Sequence, residues 1–237
     1  GDLHAGSEYY ERDAFIRWRR WAEAKDARVV LMGDMLECAL PMNQQMMWGQ
    51  NMEPSDQLKL VAKDLRPVAQ NIDAIMPGNH EERVWKLTSL HPDELLGHDL
   101  NPGKDYFLPE GGGILTYIIN NKYKYSGVVF HGTGGGQDPR HQLVQAHKIY
   151  SSFDFIAIAH LHKLYHEPVV TFDKTGTHTT HWIRTGGFLF YPPYAASKFY
   201  TPAHVGSAVL FLGAKGNYIE VDVKLDNKLF PAGGRKR

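Results

Sequence analysis

A single cysteine, Cys38, in 237 residues leaves no internal disulfide, and without a second thiol a thiolate metal cluster is excluded. No uninterrupted apolar run approaches the roughly 20 residues that cross a bilayer, and no charged start leads into an apolar signal segment. Neither sign of charge is in excess. The 26 Lys and Arg balance the 26 Asp and Glu, so no global positive field holds nucleic acid by its phosphates. Internal repeats and low-complexity linkers are lacking too, and Gly233 to Arg237 reads as a frayed basic tail. These absences lead to the expectation of a cytoplasmic globular protein with no membrane partner. The length favours one domain over residues 1–237, and oligomeric state is not readable.

What is present alternates between short β-branched runs and amphipathic helical stretches, the pattern of an α/β fold. Arg28 to Met32 reads as a strand ending at Gly33-Asp34, and Ile72 to Met76 as a second ending at Pro77-Gly78-Asn79-His80. Between them, Leu58, Val61, Leu65 and Val68 recur at helical spacing after a Pro54-Ser55 start, which predicts a crossover helix over Ser55 to Gln70. Glu8 to Lys25 and Arg140 to Tyr150 read as helices. Ile114 to Ile119, Gly127 to Phe130 and Phe155 to Ala159 read as strands. Strand-like runs at Val169 to Phe172, Thr179 to Ile183, Ala208 to Leu212 and Tyr218 to Val223 predict a second sheet built from the last third of the chain.

Chemistry concentrates where predicted strands end. Asp2-Leu3-His4, Gly33-Asp34 with Glu37, Gly78-Asn79-His80-Glu81, His131-Gly132 and His160-Leu161-His162 each place oxygen or imidazole donors beside small residues. One such segment alone is weak, because a lone His is more often structural and an Asp after a strand more often a turn or cap. Five together supply carboxylate, amide and imidazole donors, a set suited to a divalent metal such as manganese, iron or zinc. If the strand conformation persists, Asp2 and His4, and likewise His160 and His162, point to one side and reach one pocket.

The order D-x-H, G-D-x-x-E, G-N-H-E, H-G and A-H-x-H resembles the calcineurin-like metallophosphoesterase superfamily over residues 1 to about 162. The resemblance implies two packed mixed β-sheets flanked by helices in a four-layer sandwich. It further implies a hydrolase with two divalent ions, manganese first and iron, zinc or magnesium as alternatives, that cleaves a phosphate ester by attack of a metal-bridging hydroxide. Carried over by residue, Asp2, His4 and His162 hold one ion, and Asn79, His131 and His160 the other. Asp34 bridges both, and His80 faces the substrate and leaving group. Glu37 and Glu81 take positions that orient imidazoles. Two departures stand out: Ala159 replaces the usual glycine before the last His pair, and the strand that normally precedes the first motif is not in this sequence, which favours an incomplete N-terminus.

A phosphodiesterase acting on nucleic acid or a nucleotide is the leading expectation, by analogy with compact relatives. A phosphomonoesterase on a small molecule or phosphoprotein is the alternative, and a non-catalytic binding module ranks below both because every ligand position is filled. Arg83 is a possible phosphate contact. Thr133-Gly134-Gly135-Gly136 offers backbone N–H groups but is no P-loop, since no Gly-Lys-Ser/Thr follows. Met42 to Met52, with four methionines and Trp48, is a candidate wall over the substrate. His91, His98, His141, His147, His166, His178 and His181 read as structural or surface residues, and His204 stays open.

Overall fold

A computed structural model of the chain describes residues 1–41, 47, 49–134, 136, 138–174, 176–190, 195, 197, 199, 202 and 204–223. Most of the Met42 to Met52 segment and the basic tail therefore lie outside the described residues. The fold is mixed α/β, with helix α1 (Arg12–Ala24), strand β1 (Val29–Met32), helix α2 (Pro54–Leu65), strand β2 (Ile72–Met76) and helices α3 (Asn79–Thr88) and α4 (Pro92–Leu100). Then follow β3 (Gly113–Ile119), β4 (Tyr123–Phe130), α5 (His141–Tyr150), β5 (Phe155–Ile158), β6 (Tyr165–Asp173), β7 (Gly176–Arg184), β8 (Val209–Leu212) and β9 (Ile219–Asp222).

Helix α2 starts with Pro54 in its first turn, where the missing N–H is not needed, and carries Asp56 early and Lys63 late, in agreement with the helix dipole. Pro67 turns the chain into a 3-10 segment, Arg66–Asn71, so the helix ends at Leu65 rather than running to Gln70. β2 then pairs in parallel with β1. This α2 crossover brings the ends of both strands, Gly33-Asp34 and Gly78-Asn79, side by side.

The strands do not divide as the sequence suggests. β6 and β7 from the last third join the middle of the chain in one five-stranded sheet of order β3-β4-β5-β7-β6, with β5 parallel to both β4 and β7. β1-β2 and β8-β9 form separate two-stranded sheets. Strand pairing is decided by burial and register rather than chain order. β5 is buried at all four positions, as a central parallel strand covered on both faces must be. β3, at the sheet edge, alternates half-buried and exposed residues.

Three apolar clusters fix the layers. Leu3, Phe15, Val61, Leu65, Ile72, Ile75 and Leu96 pack α1, α2 and α4 against β1-β2. Met32, Met76, Phe155, Ala157 and Ile183 meet Leu210, Ile219 and Val221 of β8-β9 on one face of the large sheet. Val128, Ile156, Ile158 and Trp182 meet Leu143 of α5 on the other. Among the described residues no helix is long and apolar enough to cross a membrane.

Candidate metal centre

The five donor segments converge, but not by strand alternation. Asp2, His4, Asp34, His160 and His162 all adopt positive φ, at 59°, 51°, 51°, 72° and 53°. They make up five of the eleven non-glycine residues in that conformation among those described. A residue there costs about 1–2 kcal/mol, and Asp and His tolerate it better than most. The chain turns sharply at each of these residues, so residues two apart reach one pocket from loops. The N-terminal segment is pinned beside the β1 turn by Asp2 N–H donating to Gly33 O at 2.9 Å, Leu3 N–H to Asp34 O at 2.8 Å and Ala5 N–H to Met35 O at 3.1 Å.

Glu81 holds the two neighbouring turns together. One of its carboxylate oxygens accepts Asp34 N–H and Gly78 N–H, both at 2.9 Å, and the other accepts Leu36 N–H at 2.8 Å. This differs from the expected imidazole-orienting role: Glu81 clamps backbone, while Glu37 does orient an imidazole, accepting His4 Nδ1–H at 3.0 Å. Burial and the nearby Asp34 charge push the Glu81 carboxyl up to about 7, against its backbone donors. The turns touch so closely that a Cβ on Gly78 would lie 2.1 Å from Asp34 Oδ1, and glycine is required there.

Asp34 is buried and its oxygens differ. Oδ1 accepts His80 N–H at 2.9 Å and so caps the N-terminus of α3 from a distant loop. Oδ2 lies 3.2 Å from His131 Nε2 and 3.8 Å from His4 Nε2. On one side of it, Asp2, His4 and His162 bring one donor atom each to within 4.8 Å of one another; on the other, Asp34, His131 and His160 do the same. Asp2 Oδ1, His4 Nε2 and His162 Nε2 face each other, with 3.3 Å from Asp2 to His162 and 3.2 Å between the imidazoles. Asp2 Oδ1 is buried without a hydrogen-bond partner.

The second group is more telling. His131 Nδ1–H donates to Met32 O at 2.7 Å, and His160 Nε2–H donates to Gly134 O at 2.8 Å. Each ring therefore turns its other nitrogen inward, and on His160, where burial disfavours the charged form, that nitrogen is a lone pair. Asn79 Oδ1 sits 3.2 Å from His131 Nε2, and the same amide end faces two acceptors, His160 Nδ1 and Asp34 Oδ2. Rotating the amide would supply a proton; a divalent cation, displacing the proton on His131, would use all four atoms at once and needs no rotation. These residues fit a metal ion.

The electrostatics agree. Burial works against a charge on His131 and on His4, yet the Asp34 carboxylate on the first and the Glu37 carboxylate on the second outweigh it and lift both imidazoles to about 9. Burial likewise opposes ionisation of Asp2, but His162 and His131 hold it at about 2. The pocket demands positive charge. His80 differs: burial lowers it to about 4, and its Nδ1–H donates to Glu37 O at 2.6 Å, so Nε2 presents a lone pair 3.9 Å from Asp34 Oδ2. Arg83 Nη1 lies 3.4 Å from the His80 ring, at the edge of the same pocket.

Other expectations resolve more simply. Gly134 turns its carbonyl toward His160 Nε2–H. His204 Nδ1 accepts Leu164 N–H, and its own N–H donates to His162 O, so it braces the loop that carries His162. His147 accepts Trp182 Nε1–H, His166 meets His181 at 2.9 Å, and His178 Nε2–H donates to Phe153 O. Two residues that no motif marks, Arg184 and Gln142, also reach the centre through hydrogen bonds. Only an Arg ending a strand-like run hinted at the first.

No family model and no curated protein matches the chain. Among solved structures it is similar to the hypothetical protein PH1004 from Pyrococcus horikoshii OT3, with 11% identity, TM-score 0.43, and coverage of 93% of this chain and 84% of that one. Protein TM1076 of Thermotoga maritima matches with 15% identity, TM-score 0.28, and coverage of 65% and 82%. Vacuolar Protein Sorting 29 from Cryptosporidium parvum matches with 18% identity, TM-score 0.31, and coverage of 82% and 96%. At these scores the likenesses carry no functional weight, and the donor geometry stands by itself: His/Asp groups able to hold a metal ion in an α/β fold.

Proposed function

We propose that this protein is a metal-dependent phosphoesterase whose site takes two divalent ions, one among Asp2, His4 and His162 and one among Asn79, His131 and His160, with Asp34 shared. The observation that carries this reading is the place of Asp34 Oδ2, between two groups of inward-facing donor atoms at 3.8 Å and 3.2 Å from their nearest imidazoles. Two such ions supply Lewis acidity, an activated water and charge neutralisation for in-line displacement at phosphorus. Manganese is the first choice, with iron, zinc and magnesium as alternatives. The four-layer sandwich belongs to the same proposal.

The chain's own residues contribute position and proton handling. Glu81 keeps the Asp34 and Asn79 turns in contact, and Glu37 fixes the His4 tautomer. His80 Nε2 faces the pocket while its Nδ1–H is held on Glu37 O, and in this reading it is the group that exchanges a proton with the leaving oxygen. Arg83, beside His80, is placed to meet a non-bridging phosphate oxygen. A diester, from a nucleotide or nucleic acid, is the proposed substrate class.

Metal-stripped protein reloaded with manganese, iron, zinc or magnesium is expected to hydrolyse bis-p-nitrophenyl phosphate faster than p-nitrophenyl phosphate. Asp34→Ala should abolish the activity, and His80→Ala should lower kcat by about 10²–10⁴-fold, the usual share of a proton-transfer group. A monoester preference would make the protein a phosphatase. No hydrolysis with any metal would overturn the enzyme reading in favour of a binding module.

A further inference from the structure

Burying a charge is costly unless something uses it, and the Arg184 guanidinium at the end of β7 is fully buried. Its hydrogen bonds go to neutral oxygens: Nε–H to Pro139 O at 2.6 Å, Nη1–H to Ala159 O at 3.0 Å and Nη2–H to Gln142 Oε1 at 3.0 Å. We infer that Arg184, acting through Gln142, is a positioning residue for His160 and thereby sets the affinity of one of the two metal positions. This inference rests on the metal-centre reading above.

Arg184 holds His160 from two directions. Ala159 immediately precedes His160, so the Nη1 bond fixes the backbone from which the imidazole projects. On the imidazole side, Gln142 Nε2–H donates to Thr133 O, and the adjoining Gly134 O accepts His160 Nε2–H at 2.8 Å. That last bond leaves Nδ1 as a lone pair aimed at Asn79, His131 and Asp34. Thr133, Gly134, Gln142 and Arg184 border a cavity of about 330 Å³, across which the Gln142 bond ties Thr133 to α5. The Nε bond to Pro139 O anchors the start of α5, the helix that carries Gln142. The guanidinium fork thus joins β7, the α5 entry and two ligand loops, a geometry that the single ammonium of lysine cannot reproduce.

Partners behind a ligand imidazole are typically worth about 10–100-fold in metal affinity. Metal-stripped wild type titrated calorimetrically with zinc is expected to take up two ions. In Gln142→Ala one step should weaken by about 10–100-fold while the other stays unchanged. Arg184→Lys, which keeps the charge but not the fork, should weaken the same step. Two steps unchanged in Gln142→Ala, or both weakened equally, would overturn the relay. A wild type that takes up fewer than two ions fails the metal-centre reading itself, and that result is visible before any variant is made.

Discussion

Asp34 shows how much one side chain does here: Oδ1 caps α3 through His80 N–H, while Oδ2 stands between two donor groups. Glu81 makes that division possible by accepting three backbone N–H groups from both turns. Gln at this position keeps one acceptor oxygen and sets an NH₂ against a backbone donor. Glu81→Gln is therefore expected to cost roughly 1–3 kcal/mol of stability in the metal-free protein and to weaken metal binding with it. Urea unfolding would measure the first, and a change under about 0.5 kcal/mol would show that the clamp is dispensable. The Asp and His residues of the site were legible in the sequence because their types and flanking glycines state a chemistry. The Glu81 role was not, since a glutamate beside an Asn-His pair reads equally as a partner for imidazole or for backbone.

Among elements, the strands were largely readable and their partners were not. β1, β2 and β5 appear within a residue of their apolar runs. Helix α4 escaped the sequence reading. The position of β5 between β4 and β7, buried on both faces, makes it the element least tolerant of a cavity. Ile156→Ala is expected to destabilise by about 2–5 kcal/mol, whereas Ile114→Ala on the edge strand β3, where the side chain is 59% exposed, should stay within about 0.5 kcal/mol. Equal costs at the two sites would contradict the strand order. The ligand-bearing turns carry a different burden, since five left-handed residues at the donor positions store strain that the surrounding hydrogen bonds must hold.

Taken whole, the metal-free molecule concentrates buried acid and imidazole in one place, and its stability should depend on pH accordingly. His4 and His131 are raised to about 9 from an ordinary value of 6.5. Their stabilisation is complete below pH 6.5 and is lost as pH rises through about 9, because the folded state then gives up protons it had bound more tightly than the unfolded chain. Glu81, raised to about 7, changes charge below that window, and His80, lowered to about 4, is already neutral across it. The Tm of the metal-stripped protein is thus expected to fall between about pH 7 and 9. Added manganese or zinc should raise Tm most at the high end, since metal binding displaces those protons. Calorimetric scans across that range check both, and a flat profile without metal would show that the imidazoles are not held protonated.

The sequence by itself determined which atoms are available for chemistry: carboxylates, an amide and imidazoles in five short segments, on an alternating α/β chain without disulfides or long apolar spans. That much is local, because residue type and neighbouring glycines express it within a few positions. Only the tertiary structure decided that the donors meet through left-handed turns rather than strand alternation, and that β6 and β7 complete the sheet begun by β3 and β4. It also decided that Arg184, 24 residues beyond His160 in the chain, reaches back to hold it. These depend on which surfaces can be buried together and which lone pairs then face one another, and no short window of sequence contains both partners.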